Sequence, residues 1–136
     1  MPLGHLGLNV SDFARAKAYW DEFMPMASYE PVIADDRHFA YCPADGKVGT
    51  WIFFYRGEPG YSRHDAGLQH LAFIVRTRAE VHAAHDWAVG KGAEIVRHPQ
   101  ELPQYHEGYY AVYWLDPEGF LLEVVCHRDQ GTADRV

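Results

Sequence analysis

A strand, a helix and three further strands are written twice along this chain, and that duplication limits what it can fold into more than any single motif does. Leu6, Leu8 and Val10 alternate with His5, Gly7 and Asn9, the period-two pattern of a strand with one apolar face and with His5 pointing off it. Ser11 is placed to cap a helix, and Phe13, Ala16, Trp20, Phe23 and Met24 then recur at helical spacing until Pro25. Short strands are expected over residues 28–33, 37–42 and 50–55, separated by Asp35-Asp36 and by Pro43-Ala44-Asp45-Gly46. After a polar connection over 56–66 the pattern starts again. Leu71, Phe73 and Val75 share a face behind His70, and Thr77-Arg78-Ala79-Glu80 reads as a capping box. Val81, Ala84, His85 and Ala88 then run at helical spacing until Gly92. A strand over 93–97, a loop over 98–108 and a closing hairpin complete the second copy.

The offsets between the copies are nearly constant. His5 and His70 differ by 65, the caps Ser11 and Thr77 by 66, and Trp20 and Trp87 by 67. Such self-similarity is an internal repeat. The expected fold is α+β: one domain over 1–136 built of two βαβββ repeats, about 3–56 and about 67–127. These form a cupped, mostly antiparallel sheet with the helices outside. The off-core faces of the first and last strands of each copy would point into the cup.

The hairpin at the end of the second copy sets a register. Aromatic and β-branched residues fill 109–115 and 120–126, with Asp116-Pro117-Glu118-Gly119 between them. Pro117 suits the second position of a type I turn and Gly119 the left-handed residue of a three-residue loop with a G1 bulge. That loop pairs Asp116 with Phe120 and Leu115 with Leu121, and puts Tyr113 opposite Glu123. A two-residue loop would instead put Val112 there and turn Tyr113 to the other face.

Glu123 lies among Leu121, Leu122, Val124 and Val125, where a carboxylate is costly unless exposed, paired or bound to metal. If the two copies are equivalent, His5 and His70 hold matching places at strand starts. Two imidazoles and one carboxylate form a facial ligand set for Fe(II) that also suits Mn(II) and other divalent metals, leaving positions open for substrate or water. Matching Gly49 to Gly119 puts Phe53 at the first-copy counterpart of Glu123. Residues 47–56 contain no Asp, Glu or His, so that strand offers no fourth ligand.

Charge narrows the partners. Twelve basic and 19 acidic residues leave a formal charge of −7, which opposes general nucleic-acid or anionic-membrane binding and points to a small-molecule substrate. The start of the chain lacks the basic and apolar pattern of a signal peptide, and no window reaches membrane-spanning length, so a cytoplasmic location is expected. Cys42 and Cys126 form no close motif and read as packed thiols.

Gly4-His5-Leu6, Gln69-His70-Leu71-Ala72-Phe73, Asp116-Pro117-Glu118-Gly119 and Leu122-Glu123-Val124 together resemble the vicinal oxygen chelate superfamily. This is the glyoxalase, bleomycin-resistance and extradiol dioxygenase group. The resemblance implies a divalent metal, Fe(II) favoured with Mn, Zn or Ni as alternatives, at His5, His70 and Glu123. It also implies a substrate whose oxygens chelate that metal, and a homodimer. Glyoxalase I generally has a fourth protein ligand where Phe53 stands. Fosfomycin-resistance enzymes share the three-ligand set but carry lysines and arginines for a phosphonate that have no assignable counterparts in this cup. Bleomycin-resistance proteins lack the triad.

The extradiol dioxygenase signature is matched by His106, Val112-Tyr113, Asp116-Pro117, Gly119 and Glu123, with Gln104 departing from it. Ring cleavage of this type is therefore the expected reaction, with Tyr113 donating a hydrogen bond to a substrate oxygen and His106 handling protons. His38 is a further candidate by residue type only. A lyase, isomerase or thiol transferase in the same cup is the first alternative, and a non-catalytic binding protein the second. Trp51, Tyr55, Tyr105, Tyr109 and Trp114 are candidates to line an apolar pocket.

Overall fold

Pro99 lies where the second copy should leave its second strand for a loop, yet the strand runs on past it. In the computed structural model, which describes residues 3–131, this strand extends over Ile95–Glu101. It lies at a sheet edge, where proline's missing N–H withholds nothing from a neighbour. Pro31 occupies the matching edge strand of the first copy.

The chain divides into two compact units between Gly60 and Tyr61. The first contains β1 (His5–Val10), α1 (Phe13–Phe23), β2 (Tyr29–Ala34), β3 (His38–Pro43) and β4 (Trp51–Arg56). The second contains β5 (Leu71–Val75), α2 (Arg78–Gly90), β6 (Ile95–Glu101), β7 (Tyr110–Leu115) and β8 (Leu121–Cys126). Their sheets have the orders β1-β4-β3-β2 and β5-β8-β7-β6, so one topology is used twice, as the repeat predicts. In each, the first strand lies parallel to the last, and the remaining pairs are antiparallel.

Each helix covers the apolar face of its own sheet. Trp20 and Phe23 of α1 are fully buried, and the Trp20 ring lies 4.8 Å from Phe54, which stacks on Phe39 at 4.8 Å. Burying each such side chain contributes about 1.5–3 kcal/mol. Asp12, not Ser11, caps α1, its carboxylate accepting from the Arg15 N–H at 3.1 Å. Both residue types suit the position, and the one adjoining the first helical residue takes it. Thr77 caps α2 as expected, accepting from the Glu80 N–H at 3.1 Å. Glu80 reaches one residue beyond the usual capping-box partner, to the N–H of Arg76 at 2.9 Å.

The hairpin register follows the turn chemistry. Gly119 has φ 91°, its N–H donates to Asp116 O at 3.0 Å, and Asp116 N–H donates to Phe120 O at 3.0 Å. Leu115 pairs with Leu121 and Tyr113 with Glu123. Every residue of β8 is buried.

Candidate metal centre

Register shows that the two copies present matching positions with different chemistry. Glu123 on β8 pairs with Ala72 of β5 and Tyr113 of β7. Phe53 on β4 pairs with Gly7 of β1 and Ala40 of β3. Since Gly7 and Ala72 each stand two residues after a histidine, Phe53 is the counterpart of Glu123, as the glycine alignment indicates. His5 begins β1, exposed, with its ring edge-on to Phe53 at 5.5 Å.

In the second unit two of the expected ligands meet. The Nε2 atom of His70 lies 3.2 Å from Oε1 of Glu123. Glu123 is only 1% exposed, so its carboxylate is removed from bulk water. Its other oxygen, Oε2, accepts the phenol hydrogen of Tyr109. The Nδ1 atom of His70 meets the side-chain amide of Gln69, which orients the ring. With the ring turned this way, Nε2 and a carboxylate oxygen are placed as two ligands about one cation would be.

The spacing tests the metal. Ligand bonds of about 2.0–2.2 Å separate neighbouring donors by roughly 3 Å, and the observed 3.2 Å matches. The donor set fits as well, with an imidazole whose remote nitrogen is hydrogen-bonded and a carboxylate whose remote oxygen is hydrogen-bonded. Among the described residues of the second unit, no third His, Cys, Asp or Glu joins them.

Two phenols adjoin the carboxylate. Tyr113 shares its face, with the Tyr113 ring 6.2 Å from the His70 ring. Burial first, then hydrogen bonding to Tyr109 and Glu123, raises the Tyr113 phenol well above its ordinary range. Burial, followed by the hydrogen bond to Glu123, pushes Tyr109 up to about 12. Both phenols are therefore protonated donors at neutral pH. By its sequence Tyr109 is only a candidate for the pocket wall. The missing signal was the period of two, because a step from Tyr113 through Ala111 reaches Tyr109 on the same face.

A cavity of about 400 Å³ opens over this group, lined by Arg63, Gln69, His70, Val96, Arg97, Tyr105, Tyr109, Tyr113, Leu121 and Glu123. The volume suits a small molecule. His106 is not part of this lining. Its Nδ1 donates to the Glu107 carbonyl at 2.9 Å, its Nε2 meets His127 Nδ1 at 2.9 Å, and its ring stands edge-on to Tyr109 at 5.3 Å. His38, in the first unit, pairs with Asp35 at 2.8 Å and stacks over Tyr55 at 5.6 Å. Among the aromatic candidates, Tyr105 and Tyr109 line the cavity, whereas Trp114 is buried in the core.

Comparison with known proteins agrees with the architecture. The chain is 24% identical to the YqjT protein of Bacillus subtilis (strain 168) over 127 residues, covering 90% of this chain and 96% of that protein. A solved structure from Bacillus halodurans is 27% identical with a TM-score of 0.78, covering 91% of this chain and 94% of that one. A glyoxylase/bleomycin resistance protein/dioxygenase domain from Frankia sp. EAN1pec shares the fold at 18% identity, with a TM-score of 0.70 over 94% of this chain and 98% of that one. The family model matches residues 3–124, nearly the whole duplicated pattern, and the chain belongs to the Glyoxalase/Bleomycin resistance protein/Dioxygenase superfamily.

Proposed function

We propose that this protein is a divalent-metal-dependent enzyme acting on a small molecule whose oxygens chelate the metal, with His5, His70 and Glu123 as ligands. The observation that carries the reading is the approach of His70 Nε2 to Glu123 Oε1 at 3.2 Å, with the carboxylate buried and the imidazole exposed in the cavity wall. When bound, the metal would supply Lewis acidity to the substrate oxygens, and Fe(II) would add redox chemistry. The chain's own residues do the remaining work. Gln69 orients the His70 ring, Tyr109 holds Glu123 in place, and the protonated Tyr113 phenol offers a hydrogen bond to a substrate oxygen. Leu121 and Val96 add apolar wall.

Extradiol-type ring cleavage is the reaction that the His106, Tyr113, Asp116-Pro117, Gly119 and Glu123 signature favours. One observation supports a second reading: His106, the residue that sets that signature apart, packs on His127 outside the cavity lining. A lyase, isomerase or thiol-transfer reaction needs no such histidine.

Metal analysis of anaerobically purified protein, followed by oxygen uptake against a catechol panel, tests both. Stoichiometric iron with catechol-dependent oxygen consumption supports the first reading. A bound divalent metal without oxygen uptake on any catechol supports the second. Absence of metal after reconstitution overturns both and leaves a binding protein.

A further inference from the structure

The edge strand β6 departs from regular pairing on both sides of one residue. Ile95 pairs with Trp114, so an unbroken ladder would put Val96 opposite Tyr113 and Arg97 opposite Val112. Instead Arg97 pairs with Tyr113, and a second irregularity precedes Gln100, which pairs with Ala111. Because side chains alternate, the first bulge moves Arg97 from the helix-covered face to the face that carries Glu123 and Tyr113. The first copy has the same bulge, between Pro31 and Ile33, and there Ile33 stands opposite Ala40. The backbone device is common to both copies, and only the second uses it to present a charge.

Arg97 is joined in the cavity wall by Arg63, from the connection that precedes β5. Among the described residues neither guanidinium is paired with a carboxylate. Arg97 instead lies over the Tyr113 ring, its guanidinium carbon 6.0 Å from the centroid. In a protein of formal charge −7, two cations without carboxylate partners in one small cavity are out of keeping with the surface around them. A guanidinium offers paired donors in a plane, the geometry that fits a carboxylate or phosphonate.

We infer that the second-unit cavity selects small organic oxyanions, with Arg97 and Arg63 binding the anionic group while the rest of the molecule faces Tyr113 and the His70–Glu123 pair. The inference rests on reading this cavity as the substrate site, and it specifies the substrate class.

Calorimetric titration of the full chain with benzoate, phenylphosphonate and the neutral isostere benzamide, first with chelator and then with Mn(II), tests it. The chelator arm isolates the arginines from the metal. Wild type is expected to bind at least one anion about tenfold or more tightly than benzamide, and Arg97→Gln to remove most of that preference. Arg63→Gln, on a loop, is the second variant in case the edge strand tolerates substitution poorly. Preference for benzoate over phenylphosphonate identifies a carboxylate substrate, and the reverse a phosphonate or phosphate. Equal binding of anion and amide by wild type, no binding of either, or a preference that survives both substitutions overturns the inference. Failure of Mn(II) to bind, with the anion preference intact, would instead sink the metal reading and leave this one standing.

Discussion

Tyr109 donates its phenol hydrogen to Oε2 of Glu123, and this leaves Oε1 as the carboxylate oxygen that faces His70. One phenol thus aims a buried charge that has almost no water to orient it.

Tyr109→Phe should show that dependence. Leaving a buried acceptor without its donor costs about 1–3 kcal/mol of stability, and loss of an outer hydrogen bond to a ligand costs about 10- to 100-fold in metal affinity. Thermal unfolding and equilibrium dialysis with Mn(II) or Zn(II) measure the two effects. Unchanged metal affinity would mean that Tyr109 does not position the carboxylate.

Metal binding should appear as stability, because it favours the folded chain. At a free metal concentration a hundredfold above the dissociation constant, wild type should gain about 2.7 kcal/mol. His70→Ala and the isosteric Glu123→Gln should abolish the gain, and chelator should reverse it in wild type. His5→Ala is the test of the third ligand: a full metal-induced gain in that variant would remove His5 from the set.

Asp116 should give stability a pH dependence. Burial pushes its carboxyl from 3.8 up to about 7, against the hydrogen bonds that Oδ1 accepts from the N–H groups of Glu118 and Phe120. Oδ2 has no hydrogen-bond partner among the described residues. A folded-state value above the unfolded one means that the folded chain holds the proton longer. This contribution to stability is therefore complete below about pH 4, declines as pH rises toward 7, and is level beyond. The fall is at most roughly 4 kcal/mol. Asp116→Asn should flatten the profile in denaturant titrations at pH 4.5 and 8, and an unaltered slope would assign the dependence to other groups.

His106→Gln should leave metal affinity within about threefold of wild type, since the ring lies outside the cavity wall. If kcat on a cleaved catechol nevertheless falls a hundredfold with KM unchanged, His106 reaches the reaction in a rearranged state and the ring-cleavage reading gains.

Much of this molecule is legible in its sequence. The pairing of Tyr113 with Glu123 came from a proline and a glycine in one turn, because turn geometry is local and propagates along a ladder by strict alternation. The equivalence of Phe53 and Glu123 came from the repeat by the same logic. The role of Tyr109 was within reach of that register, whereas the position of Arg97 was not. A bulge in an edge strand is settled by the partner strand and the residues packed beneath it, and residues 93–97 carry no local mark that distinguishes it from regular pairing.

The sequence by itself therefore determined the duplicated topology, the hairpin register and the residue types able to hold a metal, because each depends on short-range geometry repeated at a fixed period. Only the tertiary structure decided that Glu123 is buried with one oxygen held by Tyr109 and the other turned to His70, that Arg97 joins the same face, and that His106 lies outside the cavity lining. Those outcomes depend on which side chains distant in sequence compete for one enclosed space, and local periodicity does not report that competition.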